Sequence, residues 1–110
     1  MWDSMFDLQE VGKRDIIVWC QSEEEANQLA LMLKSVGAHW TSGEDMVGYT
    51  VYDTYKSNTC YRIRTDKVIT MATVLFFESR HYMYEDSLYC TMGAKIEEPT
   101  KEEIDELTGM

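Results

Sequence analysis

The pattern of apolar and polar positions divides the chain into short segments of both strand and helix type. A continuous run of β-branched and aromatic residues, Ile16 to Cys20, is typical of a strand that is covered on both faces. Directly after it, apolar side chains recur every three or four residues from Ala26 to Val36, which is the spacing of one helix face. We therefore expect a central strand followed by an amphipathic helix over about residues 23–36.

Residues that favour helix ends flank this predicted helix. Ser22 followed three residues later by Glu25 forms a capping box, and Gly37 supplies the left-handed residue that commonly ends a helix. The apolar stripe of the helix must be buried against the strands that flank it. We predict a core that contains the following residues: Ile17, Trp19, Leu29, Leu33, Ile63 and Ile69.

Further segments have strand character. The segment Ala38 to Thr41 predicts a short strand around Trp40. Thr59 to Arg64 and Lys67 to Met71 are separated by Thr65-Asp66, which predicts an antiparallel hairpin. Leu88 to Met92 alternates apolar and polar side chains and is expected to form the last strand.

The remaining segments give weaker patterns. Residues 73–83 fit both a helix and a strand, and we favour a second helix there. A capping box of Thr100 and Glu103 predicts a short C-terminal helix. The fold class is therefore α+β, with one small, mostly antiparallel sheet. We expect one domain over residues 1–110, whose ends, 1–12 and 97–110, are peripheral or flexible.

Charge and composition narrow the classes of function. Twenty Asp and Glu oppose ten Lys and Arg, a net charge of -10. Such a chain repels nucleic acid and anionic membranes and favours a basic partner. Apolar runs are far shorter than the roughly 20 residues that span a bilayer. The acidic segment 1–10 has no signal-peptide character, and three cysteines are an odd number, so we expect a cytoplasmic protein.

Residues that could carry chemistry do not occur in catalytic or metal-binding patterns. Cys20, Cys60 and Cys90 are widely spaced, each within a predicted strand, where a free cysteine behaves as a small buried hydrophobe. No glycine-rich phosphate loop or nucleophile elbow is present in the sequence. We therefore predict no catalytic residue, no metal site and no cofactor.

The best candidate for a binding surface is the irregular stretch from Ser42 to Asn58, where tyrosines lie beside polar residues that can form hydrogen bonds. A second candidate is the acidic C-terminal tail, although acids and tyrosines also serve to solvate a surface or cover a small sheet. The predicted partner-binding residues are Glu44, Asp45, Tyr49, Tyr52, Asp53 and Tyr55 in the loop, and Glu97, Glu98, Glu102 and Glu103 in the tail.

Three stretches of the chain resemble small accessory proteins of bacteriophages and prophages. They are Ile17-Val-Trp-Cys-Gln-Ser-Glu-Glu-Glu-Ala26, then Gly37-Ala-His-Trp-Thr-Ser-Gly-Glu44, and then Thr59-Cys-Tyr-Arg-Ile63 with Lys67-Val-Ile-Thr70. The resemblance covers about residues 15–71 and is carried by structural motifs. It implies an anti-defence setting in a bacterial host cell.

Two hypotheses follow from charge and resemblance together. The first is a non-enzymatic, anti-CRISPR-like inhibitor that mimics nucleic acid and occupies a basic host protein, for example a CRISPR effector nuclease. The alternative is a homo-oligomer that sequesters a small ligand, such as a cyclic-nucleotide signal. Arg62, Arg64 and Arg80 would hold that ligand beside the aromatic loop, and strand alternation would place Arg62 and Arg64 on one face.

Overall fold

The computed structural model describes residues 1–92, so the expected C-terminal helix and the four tail glutamates lie outside the described part of the chain. The strands are β1 Ser4–Met5, β2 Ile16–Cys20, β3 His39–Trp40, β4 Thr59–Ile63, β5 Val68–Thr73 and β6 Leu88–Thr91. The α-helices are α1 Glu23–Ser35 and α2 Val74–Ser79. Single 3-10 turns occupy Leu8–Glu10, Tyr52–Thr54, Lys56–Asn58 and His81–Met83.

The six strands form one sheet in the order β1-β6-β2-β4-β5-β3. β4 pairs antiparallel with both β2 and β5, whereas the β1–β6, β2–β6 and β3–β5 pairs are parallel. The α+β class is confirmed, and the expectation of a mostly antiparallel sheet is corrected to a mixed sheet. The spacing of apolar residues identifies strands but not the directions in which they pair. Only a short connection, such as the β4–β5 hairpin, forces two paired strands to be antiparallel.

The predicted α1 helix is confirmed together with its N-terminal cap. The Ser22 hydroxyl accepts a hydrogen bond from the Glu25 amide at 3.2 Å, and the Glu25 carboxylate accepts one from the Gln21 amide at 2.9 Å. After the helix, Gly37 adopts a left-handed backbone with a φ of 82°. A side chain there would be strained whatever space surrounds it.

The hairpin and the second helix are also confirmed, although their limits differ from the predicted ones. β4 ends one residue earlier, β5 is shifted towards Thr73, and α2 is shorter than predicted. The β4–β5 connection runs from Arg64 to Lys67, with Lys67 in the left-handed region at a φ of 69°. α2 starts where the Thr73 hydroxyl accepts a hydrogen bond from the Phe76 amide at 3.1 Å, and it ends at Ser79 rather than near residue 83. No helix within residues 1–92 is long and apolar enough to cross a membrane.

The sheet is covered on both faces, and strand alternation decides which side chain meets which helix. Ile16, Val18 and Cys20 join the core beneath α1, and Ile17 lies on the opposite face with Phe77 of α2. We call these the α1 face and the α2 face. The predicted core residues are buried except Trp19, which is only partly buried. The expected contact of α1 with Ile17 and Trp19 is wrong, because both point to the α2 face.

Candidate partner-binding site

The predicted binding loop runs alongside α1, from the end of the helix back to its beginning. Near the last turn of α1, the Asp45 carboxylate lies 3.9 Å from the Lys34 ammonium. Met46 and Tyr52 then enter the core of the α1 face. Burial raises the pKa of Tyr52, and nearby negative charges, including Glu25 in the first turn of α1, raise it further. The loop is thus a second element of the layer that covers this face.

Hydrogen bonds from aromatic side chains hold the loop to the sheet. The Trp40 indole donates to the Tyr49 carbonyl at 3.0 Å, and the Tyr61 hydroxyl donates to the Thr50 carbonyl at 2.8 Å. Tyr52 is only 8% exposed. Tyr52 therefore belongs to the core, and its predicted place among contact residues is corrected.

The other predicted loop residues do not form one surface. Glu44 and Asp45 lie by the end of α1, and Asp53 lies by its beginning next to Tyr52. Tyr49 is exposed between these positions. Tyr55 has passed to the α2 face, where it lines a groove with Phe76 and Tyr84. A patch that contains all of these side chains is therefore absent from the described residues.

Exposed carboxylates do collect where β2 ends and α1 begins. Glu23, Glu24 and Asp53 are exposed, and none makes an ion pair or a side-chain hydrogen bond within residues 1–92. The amino-terminal end of the α1 dipole favours the two glutamates. β6 runs parallel to β2, so the chain leaves the sheet at this same end towards the six acids that follow Gly93. We call Glu23, Glu24 and Asp53 the acidic pole.

A cleft of about 660 Å³ lies at the opposite end of the sheet, beside the β4–β5 hairpin. Its lining combines three carboxylates with two large and well-exposed side chains, Tyr82 at 72% and Met83 at 60%. We call it the hairpin-end cleft, and its lining residues are Arg14, Asp15, Thr65, Tyr82, Met83, Tyr84, Glu85, Asp86 and Ser87.

A smaller groove of about 350 Å³ lies on the α2 face and contains Arg62 between aromatic walls. The Arg62 guanidinium donates a hydrogen bond to the Asp15 carboxylate and lies 5.2 Å from the centre of the Tyr84 ring. Its buried Nε has no hydrogen-bond partner within residues 1–92. Arg64 instead pairs with Asp66 at 2.9 Å in the hairpin turn. The expected Arg62–Arg64 patch does not form, because Arg64 lies beyond the end of β4, where strand alternation no longer applies.

The cysteines lie inside the sheet and are free and buried. Burial raises the pKa of all three thiols, that of Cys90 to about 12. A thiol in such surroundings remains protonated and is a poor nucleophile near neutral pH. Within residues 1–92, no group of three or more His, Cys, Asp or Glu side chains is placed to hold a metal ion.

The hairpin-end cleft is the feature that sequence reasoning missed. Glu85 and Asp86 are recognisable as an acidic pair, but Asp15 and Thr65 join them only through the sheet. A usable signal lies in the run Tyr82-Met-Tyr-Glu-Asp86, which combines aromatic side chains with acids directly after a short helix. Comparison of the chain with protein-family models, curated proteins and solved structures finds no match.

Proposed function

We propose that this chain is a non-enzymatic binding protein of phage or mobile-element type. In this proposal its acidic surface occupies the basic, nucleic-acid-binding surface of a host defence protein, for example a CRISPR effector nuclease in the bacterial cytoplasm. The acidic pole is the observation that carries the proposal. Its three carboxylates face solvent without an internal cation, so their charge remains available to an external one.

The distribution of charge around the pole supports this proposal. Lys34 approaches Asp45, and Arg64 pairs with Asp66, so internal cations offset two of the carboxylates towards the hairpin end of the molecule. The three carboxylates of the pole have no such cation within residues 1–92, and the sequence after Gly93 adds six acids to the chain, among them Glu97, Glu98, Glu102 and Glu103. Closely spaced carboxylates can take the place of phosphates on a basic protein surface.

The groove at Arg62 supports a second candidate function, the sequestration of a small anionic ligand. Phe76, Phe77 and Tyr84 line this groove with aromatic rings, and the Arg62 guanidinium lies among them. A volume of about 350 Å³ lies at the lower end of the range for small-molecule sites, roughly 300–1,000 Å³. We rank this candidate second, because Asp15 already offsets the charge of Arg62.

Affinity capture with the tagged full-length chain tests the proposed function. The bait is incubated with lysate of a bacterial host that expresses a defence system. The expected partner is a nucleic-acid-binding protein that a short DNA or RNA competes away, and that elutes as salt rises from about 50 to about 200 mM. A bait with Glu23→Lys, Glu24→Lys and Asp53→Lys should capture much less of it.

One control and two alternative outcomes make this capture decisive. Circular dichroism must show that the triple variant remains folded, because lysine at a helix start costs about 0.3–1 kcal/mol. A captured partner that resists both salt and competing nucleic acid would overturn the proposed function. A small molecule that co-purifies with the chain and is lost with Arg62→Gln would favour the second candidate.

A further inference from the structure

We propose that the hairpin-end cleft binds an arginine side chain of the basic partner, and this inference rests on the proposed function. The acidic pole explains a general attraction to positive charge, but its residues line neither of the two clefts described above. The cleft, at the other end of the sheet, provides space for one specific side chain. It is a separate site, and its role can be tested separately from that of the pole.

The lining of the cleft suits the flat, cationic guanidinium group. Tyr82 is 72% exposed and provides a ring, on which a guanidinium stacks better than an ammonium does. Tyr84 also lines the cleft, but its ring already lies against the Arg62 guanidinium. Met83 provides a flexible apolar contact for the methylene stem. Tyr82 and Met83 are among the most exposed large apolar side chains in the described residues, an arrangement typical of contact surfaces.

Carboxylates at the cleft supply the matching acceptors. Glu85 and Asp86 are exposed and make no ion pair within the described part of the chain. Asp15 accepts a hydrogen bond from Arg62 through one oxygen, Oδ2. Because a carboxylate has about four acceptor positions, Asp15 can also accept from a second guanidinium. Arg62 also holds Asp15 in place at the edge of the cleft.

Arg14 is the one cation among the residues that line the cleft, and it too has no ion-pair partner within residues 1–92. Its charge opposes an incoming guanidinium. Its removal should therefore strengthen binding at the cleft. A gain of affinity is a useful readout, because damage to the fold would not produce it.

The test uses the ¹⁵N-labelled full-length chain and an acetylated di-arginine amide as the probe, with the di-citrulline amide as its uncharged counterpart. Amide resonances of residues 82–87 should shift with the arginine probe only. Glu85→Gln with Asp86→Asn should weaken its binding about tenfold, the effect of one lost charge-assisted contact. Tyr82→Ser should weaken binding severalfold, and Arg14→Gln should tighten it.

Asp3→Asn with Glu10→Gln is the matched control, because it makes the same change in net charge away from the cleft lining. This pair should change affinity less than about twofold, as expected of charges that do not line the cleft and are screened by salt. Equal weakening by both pairs, shifts at the acidic pole instead of residues 82–87, or equal binding of di-citrulline would each overturn the cleft site. The proposed function is judged separately, by salt and nucleic-acid competition on the captured partner.

Discussion

The two faces of the sheet are covered by different kinds of structure. α1 has 13 residues and, with the loop that contains Met46 and Tyr52, encloses a mainly aliphatic core. α2 has only six residues, and aromatic rings complete the cover of its face. A six-residue helix is far shorter than the ~12–15 residues at which isolated helices become marginally stable. Packing against the sheet must therefore hold α2 in place.

Polar atoms follow the same division between the faces. On the α1 face, the Tyr61 hydroxyl is hydrogen-bonded to a loop carbonyl. On the α2 face, the buried Tyr89 hydroxyl and the Arg62 Nε have no hydrogen-bond partner among residues 1–92. Both chief clefts include residues of the α2 side or of its connection to β6. The α1 face is therefore the more closely covered of the two, while the clefts lie on the α2 side or beside it.

The largest expected effect is on the α1 face. Leu33→Ala should lower the free energy of unfolding by about 2–5 kcal/mol, because Leu33 is fully buried and its truncation leaves a cavity in the core. Leu31→Ala, in the same helix but 62% exposed, is the matched control and should change it by about 0.5 kcal/mol or less. Equal losses in urea denaturation would show that the face of α1 is misassigned.

Alkaline pH should weaken both faces through the buried thiols. The folded pKa of each cysteine lies above the ordinary value of 9.0, so the unfolded chain loses these protons first. The stabilisation that the protonated thiols provide is complete below pH 9, and it falls as the pH rises towards the pKa values of the folded chain. The expected slope is about 1.4 kcal/mol per pH unit for each thiol. Urea denaturation from pH 8 to pH 11 should show a smaller slope in Cys60→Ala.

A pair of tyrosine substitutions compares the two faces directly. Tyr61→Phe should cost about 1 kcal/mol, because the Thr50 carbonyl loses its buried donor. Tyr89→Phe should be neutral or stabilising, because the hydroxyl that it removes is buried without a partner. Thermal denaturation of both variants measures this difference. A clear loss in Tyr89→Phe would mean that its hydroxyl is satisfied and that the α2 face is better ordered than we describe.

The smallest expected effect is a difference in stability between substitutions at two neighbouring acids of the loop, Glu44 and Asp45. Glu44 makes no side-chain ion pair within residues 1–92, so Glu44→Lys should change stability by about 0.5 kcal/mol or less. Asp45 accepts from the Val47 amide at 2.9 Å and lies near Lys34, so Asp45→Lys should cost somewhat more. Denaturant midpoints measured in one buffer resolve the order. The reverse order would place the structural role on Glu44.

The parts of the fold that sequence reasoning predicted correctly depend on neighbouring residues. The cap at Ser22, the stripe through Leu33 and the stop at Gly37 lie within one continuous segment. Strand directions, by contrast, depend on distant segments, as does the burial of Tyr52. In the sequence, Glu23 and Glu24 lie far from Asp53. Their meeting at one end of the sheet required the return of the loop along α1.

Hydrogen exchange on the complex of the full-length chain with its captured partner tests the account most directly. We expect new protection at residues 21–25 and 52–54 around the acidic pole, and at residues 82–87 of the hairpin-end cleft. No change is expected across the exposed side of α1 around Leu31. Protection centred on Leu31, with the pole and the cleft unchanged, would contradict the assignment of binding to these acidic regions.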